Sequence, residues 1–335
     1  MKMKGTLFYS DKGLASNDRP QEGSFFIREN LNDEFRSARY SYQGDEIIRS
    51  IENQCANLYD LFQHKIFLDR EEEYEAITYM LPIGITEAGL NSDCPLPKEY
   101  FKHYFEDVPT EENFLNFLSP RLNRVKYHCA YLADCQSLIS TLQELILSAN
   151  DSFIGFYKLL ATLPEKVEFY ETHYEISSEG RLVFNMLHSL IIQLYSAFDI
   201  TTKIAYELEN IRLCEGEYVK LASKGLLYGD RKKLKMDKTG TIFESNRQLS
   251  IIENLRNELI HNAIWEMHPK VFFIKENGRL TERAIYMPDF NEEGHLVTFK
   301  NRKRFFADEK KVNEELPAIY LEVMRRIYKT LENFS

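Results

Sequence analysis

Three residues of this chain have the types and spacing to do chemistry together: Arg256, Asn257 and His261. On a helix, Asn257 and His261 are four residues apart and share one face, which Trp265 continues. Arg256 is offset by one position, but its long side chain can swing toward the same surface. A guanidinium holds two phosphate oxygens at once. An imidazole moves a proton near neutral pH, and an amide fixes either the histidine tautomer or a substrate oxygen. The set suits a phosphodiester. With 19 arginines and 8 histidines in the chain, the spacing Arg-x4-His is expected about half a time by chance, and requiring Asn directly after the Arg lowers that to about 0.03.

The elements that must position these residues follow from hydrophobic periodicity. Leu249, Ile252, Leu255, Leu259 and Ala263 mark one apolar face and predict a helix over about 244–266. Ser245 or Asn246 can cap its start, and Pro269 lies past its end. Upstream, Leu187, Ile191, Leu194, Phe198, Thr201, Ala205 and Leu208 recur in alternating steps of four and three. They predict one very long helix over 180–212 with a heptad-like seam. Such a seam wants a partner helix, from the same chain or a second copy. Downstream, three strand-like runs cover 271–275, 283–287 and 295–300, with Asn277-Gly278 as a turn between the first two. A closing helix over about 308–332 contains Pro317, which either kinks it or moves its start to about residue 315.

Leu255-Arg256-Asn257-Glu258-Leu259-Ile260-His261-Asn262 resembles the signature of the HEPN superfamily, Arg-polar-x-x-x-His on a late helix of a short bundle. The run Tyr195-Ser196-Ala197-Phe198-Asp199 is similar to that family's earlier core helix. The match covers about residues 180–335. It implies a mainly α fold: a HEPN-like helical bundle at 176–335 with a small β-hairpin or meander before the last helix. An acidic, mostly helical domain of unknown role would precede it over 1–175. The resemblance also implies a metal-independent endoribonuclease of toxin or defence type, with no cofactor and no metal ligands. It would work as a homodimer whose two motifs face a shared cleft. His261 would be general acid or base, Arg256 would stabilise charge on the phosphate, and Asn257 would orient His261 or the phosphate. Family members paired with a nucleotidyltransferase antitoxin carry Tyr two residues after the His; this chain has Ala263. A regulatory or antitoxin partner is a further expectation. The alternative reading is a non-catalytic HEPN-like module that binds RNA, a nucleotide or a protein; a third is a helical scaffold whose seam builds an assembly.

Several other residues have two readings. Asp199 can support the site from the neighbouring helix or pair with Lys203 on the surface. Trp265 can stack on a base or belong to the core. Arg231, Lys232, Lys233 and Lys235 form one basic run, and Lys300, Arg302, Lys303 and Arg304 form another. Both are RNA-backbone candidates, or simply solvated loops. Both lie in the half of the chain with the less acidic balance. Residues 1–179 carry 17 Lys+Arg against 30 Asp+Glu, residues 180–335 carry 25 against 22, and the nets of −13 and +3 sum to −10.

The N-terminal half predicts short strands around Thr6-Leu7-Phe8-Tyr9 and Phe25-Phe26-Ile27, then a helix over 45–68 with Ile48, Ile51, Leu58, Leu61 and Phe62 inward. A loop over 82–97 and helices over 99–105, 111–118, 120–149 and 152–163 follow. The five cysteines are scattered with no CxxC pair, which indicates neither a zinc knuckle nor a disulfide scaffold and predicts reduced, mostly buried thiols. The other histidines show no metal-ligand spacing. Charges interrupt each long apolar stretch and the N-terminus has no signal-like run, so the expectation is a cytoplasmic protein outside any membrane.

Overall fold

The structure, a computed structural model, describes residues 8–10, 13–15, 44–67, 126–214, 217–222, 234–266, 268–300, 302 and 305–334. It is mainly helical: 59% of the described residues lie in five helices. These are α1 (Gly44–Phe67), α2 (Lys126–Thr162), α3 (Ser178–Glu209), α4 (Arg247–Asn262) and α5 (Val312–Glu332). Strands β1 (Phe8–Ser10) and β2 (Gly13–Ala15) pair antiparallel, as do β3 (His173–Glu175), β4 (Val271–Glu276) and β5 (Arg279–Ala284) in the order β3-β4-β5. The expected strand at Phe25-Phe26-Ile27, the loop at 82–97 and the helices at 99–105 and 111–118 lie outside the described residues.

The chain divides into two compact units. The first falls within Met1–Asn53, Gln143–Asp199 and Asp237–Asn333, the second within Gln54–Leu142, Ile200–Met236 and Phe334–Ser335. The units are thus interleaved in sequence, and each draws on segments either side of residue 175.

The seam is real and is filled within the chain. Leu187, Ile191, Leu194, Phe198, Thr201, Ala205 and Leu208 are all buried. Each large apolar side chain so buried contributes about 1.5–3 kcal/mol. α3 is long and apolar enough by composition to cross a membrane, and half of its apolar window is buried inside the protein. α2 is longer than expected: the two helices predicted over 120–149 and 152–163 are one. Asn150-Asp151-Ser152 lacks the Gly or Pro that would break it, and Ser152 is buried.

The hairpin before the last helix is present, with its second strand over Arg279–Ala284 instead of 283–287. Asn277 (φ 53°) and Gly278 (φ 77°) both adopt left-handed conformations, as a two-residue hairpin turn requires. The third expected run, at 295–300, forms only isolated bridges, Phe290 with Leu296 and Phe299 with Arg302. The third strand comes instead from β3, which pairs His173 with Phe273 and Glu175 with Val271. α5 begins at Val312 and keeps Pro317 inside it.

The second unit is organised by a buried carboxylate. Glu207, 1% exposed, accepts from Tyr131 Oη at 2.6 Å, from Arg212 Nη2 at 2.9 and 3.0 Å, and from the Ala222 amide at 2.7 Å. The segment after α3 is held by these bonds. Burial pushes the Tyr131 hydroxyl and the Cys135 thiol up, keeping both protonated. Cys55 and Cys135 are buried, whereas Cys214 is exposed.

Candidate active site

α4 carries the site, and its start is strongly specified. Asn246, in extended conformation, accepts through Oδ1 from the Gln248 and Leu249 amides at 2.9 and 3.2 Å. This satisfies two donors that a helix start leaves unpaired. Asn246 Nδ2 donates to Glu322 on α5, which also accepts from Arg326 Nε at 2.7 Å. The helix thus enters at an angle set by α5.

The buried face is Ile251, Ile252, Leu255, Glu258 and Leu259. Ala263, expected on that face, is exposed and caps the C-terminus instead, at φ 65° with its amide donating to Leu259 O at 3.1 Å. A left-handed alanine costs about 1–2 kcal/mol; the loop that follows, anchored by wholly buried Trp265, holds it there.

Trp265 is a core residue, which removes it as a base-stacking surface. Its ring lies 6.2 Å from Phe184 and 5.9 Å from His188, and Nε1 donates to Tyr286 O at 3.3 Å. The helix ends at Asn262, so residue 265 no longer follows the Asn257–His261 face. Burial beside these rings pushes the His188 imidazole down to about 4.

The outward face holds the three motif residues. Arg256 and Asn257 are half-buried and His261 is exposed. Arg256 Nη1 donates to Asn257 Oδ1 at 3.1 Å. The Arg256 guanidinium carbon also lies 4.8 Å from the centroid of the Tyr195 ring, on α3. Asp199, the expected support from that helix, is half-buried one turn beyond Tyr195. The ring that receives the guanidinium is that of Tyr195. Nothing in the spacing of Arg256, Asn257 and His261 singled out this tyrosine; its position four residues before Asp199 was the available signal.

A second addition is His295. Asn254 lies on the same helical face as Asn257 and His261, three and seven residues earlier. Its Nδ2 is 3.3 Å from His295 Nδ1 and 3.4 Å from Gly294 O. Gly294 adopts φ +86°, and a Cβ there would fall 2.3 Å from Arg247 O. The loop therefore presses its backbone onto the first turn of α4 and brings a second imidazole to the site face.

The basic runs fare differently. Arg231, Lys232, Lys233, Lys303 and Arg304 lie outside the described residues. Lys235 is exposed in the second unit, with its amide donating to Glu209 Oε2 at 2.7 Å. Lys300 and Arg302 are exposed in the first unit, on a tight turn closed by Phe299–Arg302 backbone bonds of 2.9 and 3.0 Å. Among the described residues, no group of three or more His, Cys, Asp or Glu side chains is placed to hold a metal ion.

An arginine, an amide and an imidazole on one helix face can bind an anion and move a proton beside it. No family model, curated protein or solved structure matches this chain.

Proposed function

We propose that the chain is a metal-independent endoribonuclease, with a HEPN-like bundle formed around α3, α4 and α5. The observation that supports this reading is the outward face of α4. There an exposed imidazole, His261, follows Asn257 by one turn, and Asn257 accepts from the neighbouring Arg256 guanidinium.

In this reading Arg256 holds the non-bridging oxygens of a phosphodiester. His261 accepts the proton of the adjacent ribose 2′-OH as that oxygen attacks phosphorus. The P–O5′ bond breaks, and the departing oxygen takes a proton. The products are a 2′,3′-cyclic phosphate and a 5′-hydroxyl, and no co-reactant is consumed. Arg256 offsets the charge that builds on the phosphate in the transition state. Because the site face is open, a second copy facing the first would enclose the substrate and exclude water. A toxin or defence role, with a restraining partner protein, fits such an activity.

The test is incubation of the purified chain with mixed RNA in EDTA, beside its His261→Ala and Arg256→Ala variants. Cleavage by the wild type alone, leaving cyclic phosphate ends, is the expected result. RNA cut equally by the His261→Ala variant overturns the mechanism, and RNA retained but never cut selects a binding module instead.

A further inference from the structure

We infer that Tyr195 is a positioning residue for Arg256, and that together with Asn257 it fixes the guanidinium as an anion site. This inference rests on the proposed cleavage of RNA for its catalytic consequence, but not for its geometry.

An arginine side chain carries four rotatable bonds and loses about 2 kcal/mol of rotamer freedom when fixed. Next to an exposed helix face it would ordinarily sample many directions. Two contacts narrow that choice. The Tyr195 ring, itself buried, lies 4.8 Å from the guanidinium carbon, within cation–π range. Tyr195 is in turn set by Phe198, whose ring centroid is 6.1 Å away at 64°. The second contact is the Arg256 Nη1 bond to Asn257 Oδ1.

Asn257 Oδ1 accepts one bond from Arg256, and Asn257 Nδ2 offers two N–H groups to a ligand. Arg256 has five N–H donors, of which one is used on Asn257. Donors of both side chains beside a fixed positive charge fit phosphate oxygens, which only accept.

The experiment compares full-length wild type with Tyr195→Phe, which keeps the ring, and Tyr195→Leu, which removes it. Tyr195→Met accompanies them, because its flexible thioether fills the buried space if leucine does not fold. Folding is checked by circular dichroism and thermal melting. Two readouts follow: kcat and KM on a short RNA, and the Nε–Hε resonance of Arg256 in 15N-labelled protein, identified by its loss in Arg256→Lys. We expect Tyr195→Phe to stay within about twofold of wild type. Tyr195→Leu or Tyr195→Met should lower kcat about 3- to 30-fold, the span a cation–π contact allows, with KM little changed. The Arg256 resonance should be ring-shifted in wild type and Tyr195→Phe, and should return to the ordinary arginine position in the other two. A folded Tyr195→Leu or Tyr195→Met protein with wild-type kcat and an unmoved Arg256 resonance overturns the inference. So does a Tyr195→Phe protein as impaired as Tyr195→Leu. If wild type cuts no RNA, the cleavage reading falls by itself, and the resonance alone then decides the positioning role.

Discussion

The Tyr157 hydroxyl donates to the backbone carbonyl of Asn313 at 2.8 Å. That carbonyl would ordinarily accept from the amide of residue 317, one helical turn on, but residue 317 is proline. Asn313 is wholly buried, so the oxygen has no access to water. A side chain from α2 therefore completes a hydrogen bond that the sequence of α5 forbids. The Asn313 side chain is bonded too, accepting from the Ile285 amide at 3.3 Å and donating to Glu282 at 2.9 Å.

Removing that hydroxyl should show in a double-mutant cycle. Tyr157→Phe removes this buried hydrogen bond and should cost about 0.5–1.5 kcal/mol in urea unfolding. Pro317→Ala supplies the missing N–H. In the Pro317→Ala background the same Tyr157→Phe change should cost clearly less, and equal costs in both backgrounds would refute the account.

Gly294 seats the His295 loop on α4. Alanine there meets both a left-handed φ and a carbonyl 2.3 Å away. Gly294→Ala should destabilise the protein by about 1–3 kcal/mol or more, read as a lower denaturant midpoint. A midpoint unchanged from wild type would mean that the loop does not pack as described.

His188 gives stability a pH dependence of known sign. Its folded pKa, about 4, is below the unfolded value near 6.5 because burial beside Phe184 and Trp265 disfavours the charged ring. Between these values the unfolded chain binds a proton that the folded chain does not. Stability is therefore lost as pH falls from about 6.5 to about 4, by an amount on the order of 2–3 kcal/mol from this group. His188→Phe should flatten that part of the melting-temperature profile. The same slope in the variant would assign the effect elsewhere.

At the site, Arg256→Lys keeps the charge but loses the planar fork and its fit to both the Tyr195 ring and the phosphate. On the proposed mechanism kcat should fall about tenfold or more, with a smaller change in KM. Full activity with lysine would show that a point charge suffices.

Lys300 and Arg302 can be tested by salt. If both touch the RNA backbone, Lys300→Asn and Arg302→Ala should each weaken binding of a non-cleavable oligonucleotide regardless of its sequence. Each should also reduce the slope of log affinity against log salt by about one. Asparagine is chosen at 300 because that residue has φ +55°. Unchanged slopes would make the turn an ordinary solvated loop.

What the sequence determined by itself was local. Periodicity placed α1, α3 and α4 within a few residues, because one buried stripe repeats along each helix and needs no knowledge of its partner. Asn246 as a cap and Asn277-Gly278 as a hairpin turn were legible for the same reason: each satisfies its own neighbours. The Arg256-Asn257-x-x-x-His261 face was legible as spacing on one helix. Residues brought in from elsewhere were not. Tyr195 under Arg256, His295 against Asn254, β3 beside β4 and Tyr157 on Asn313 are pairings across 41 to 156 residues of chain. No local pattern encodes such pairings; they exist only once the helices pack. Trp265 shows the same limit in reverse. Helical spacing put it on the site face, but α4 ends at Asn262, and the turn at Ala263 sends the ring into the core.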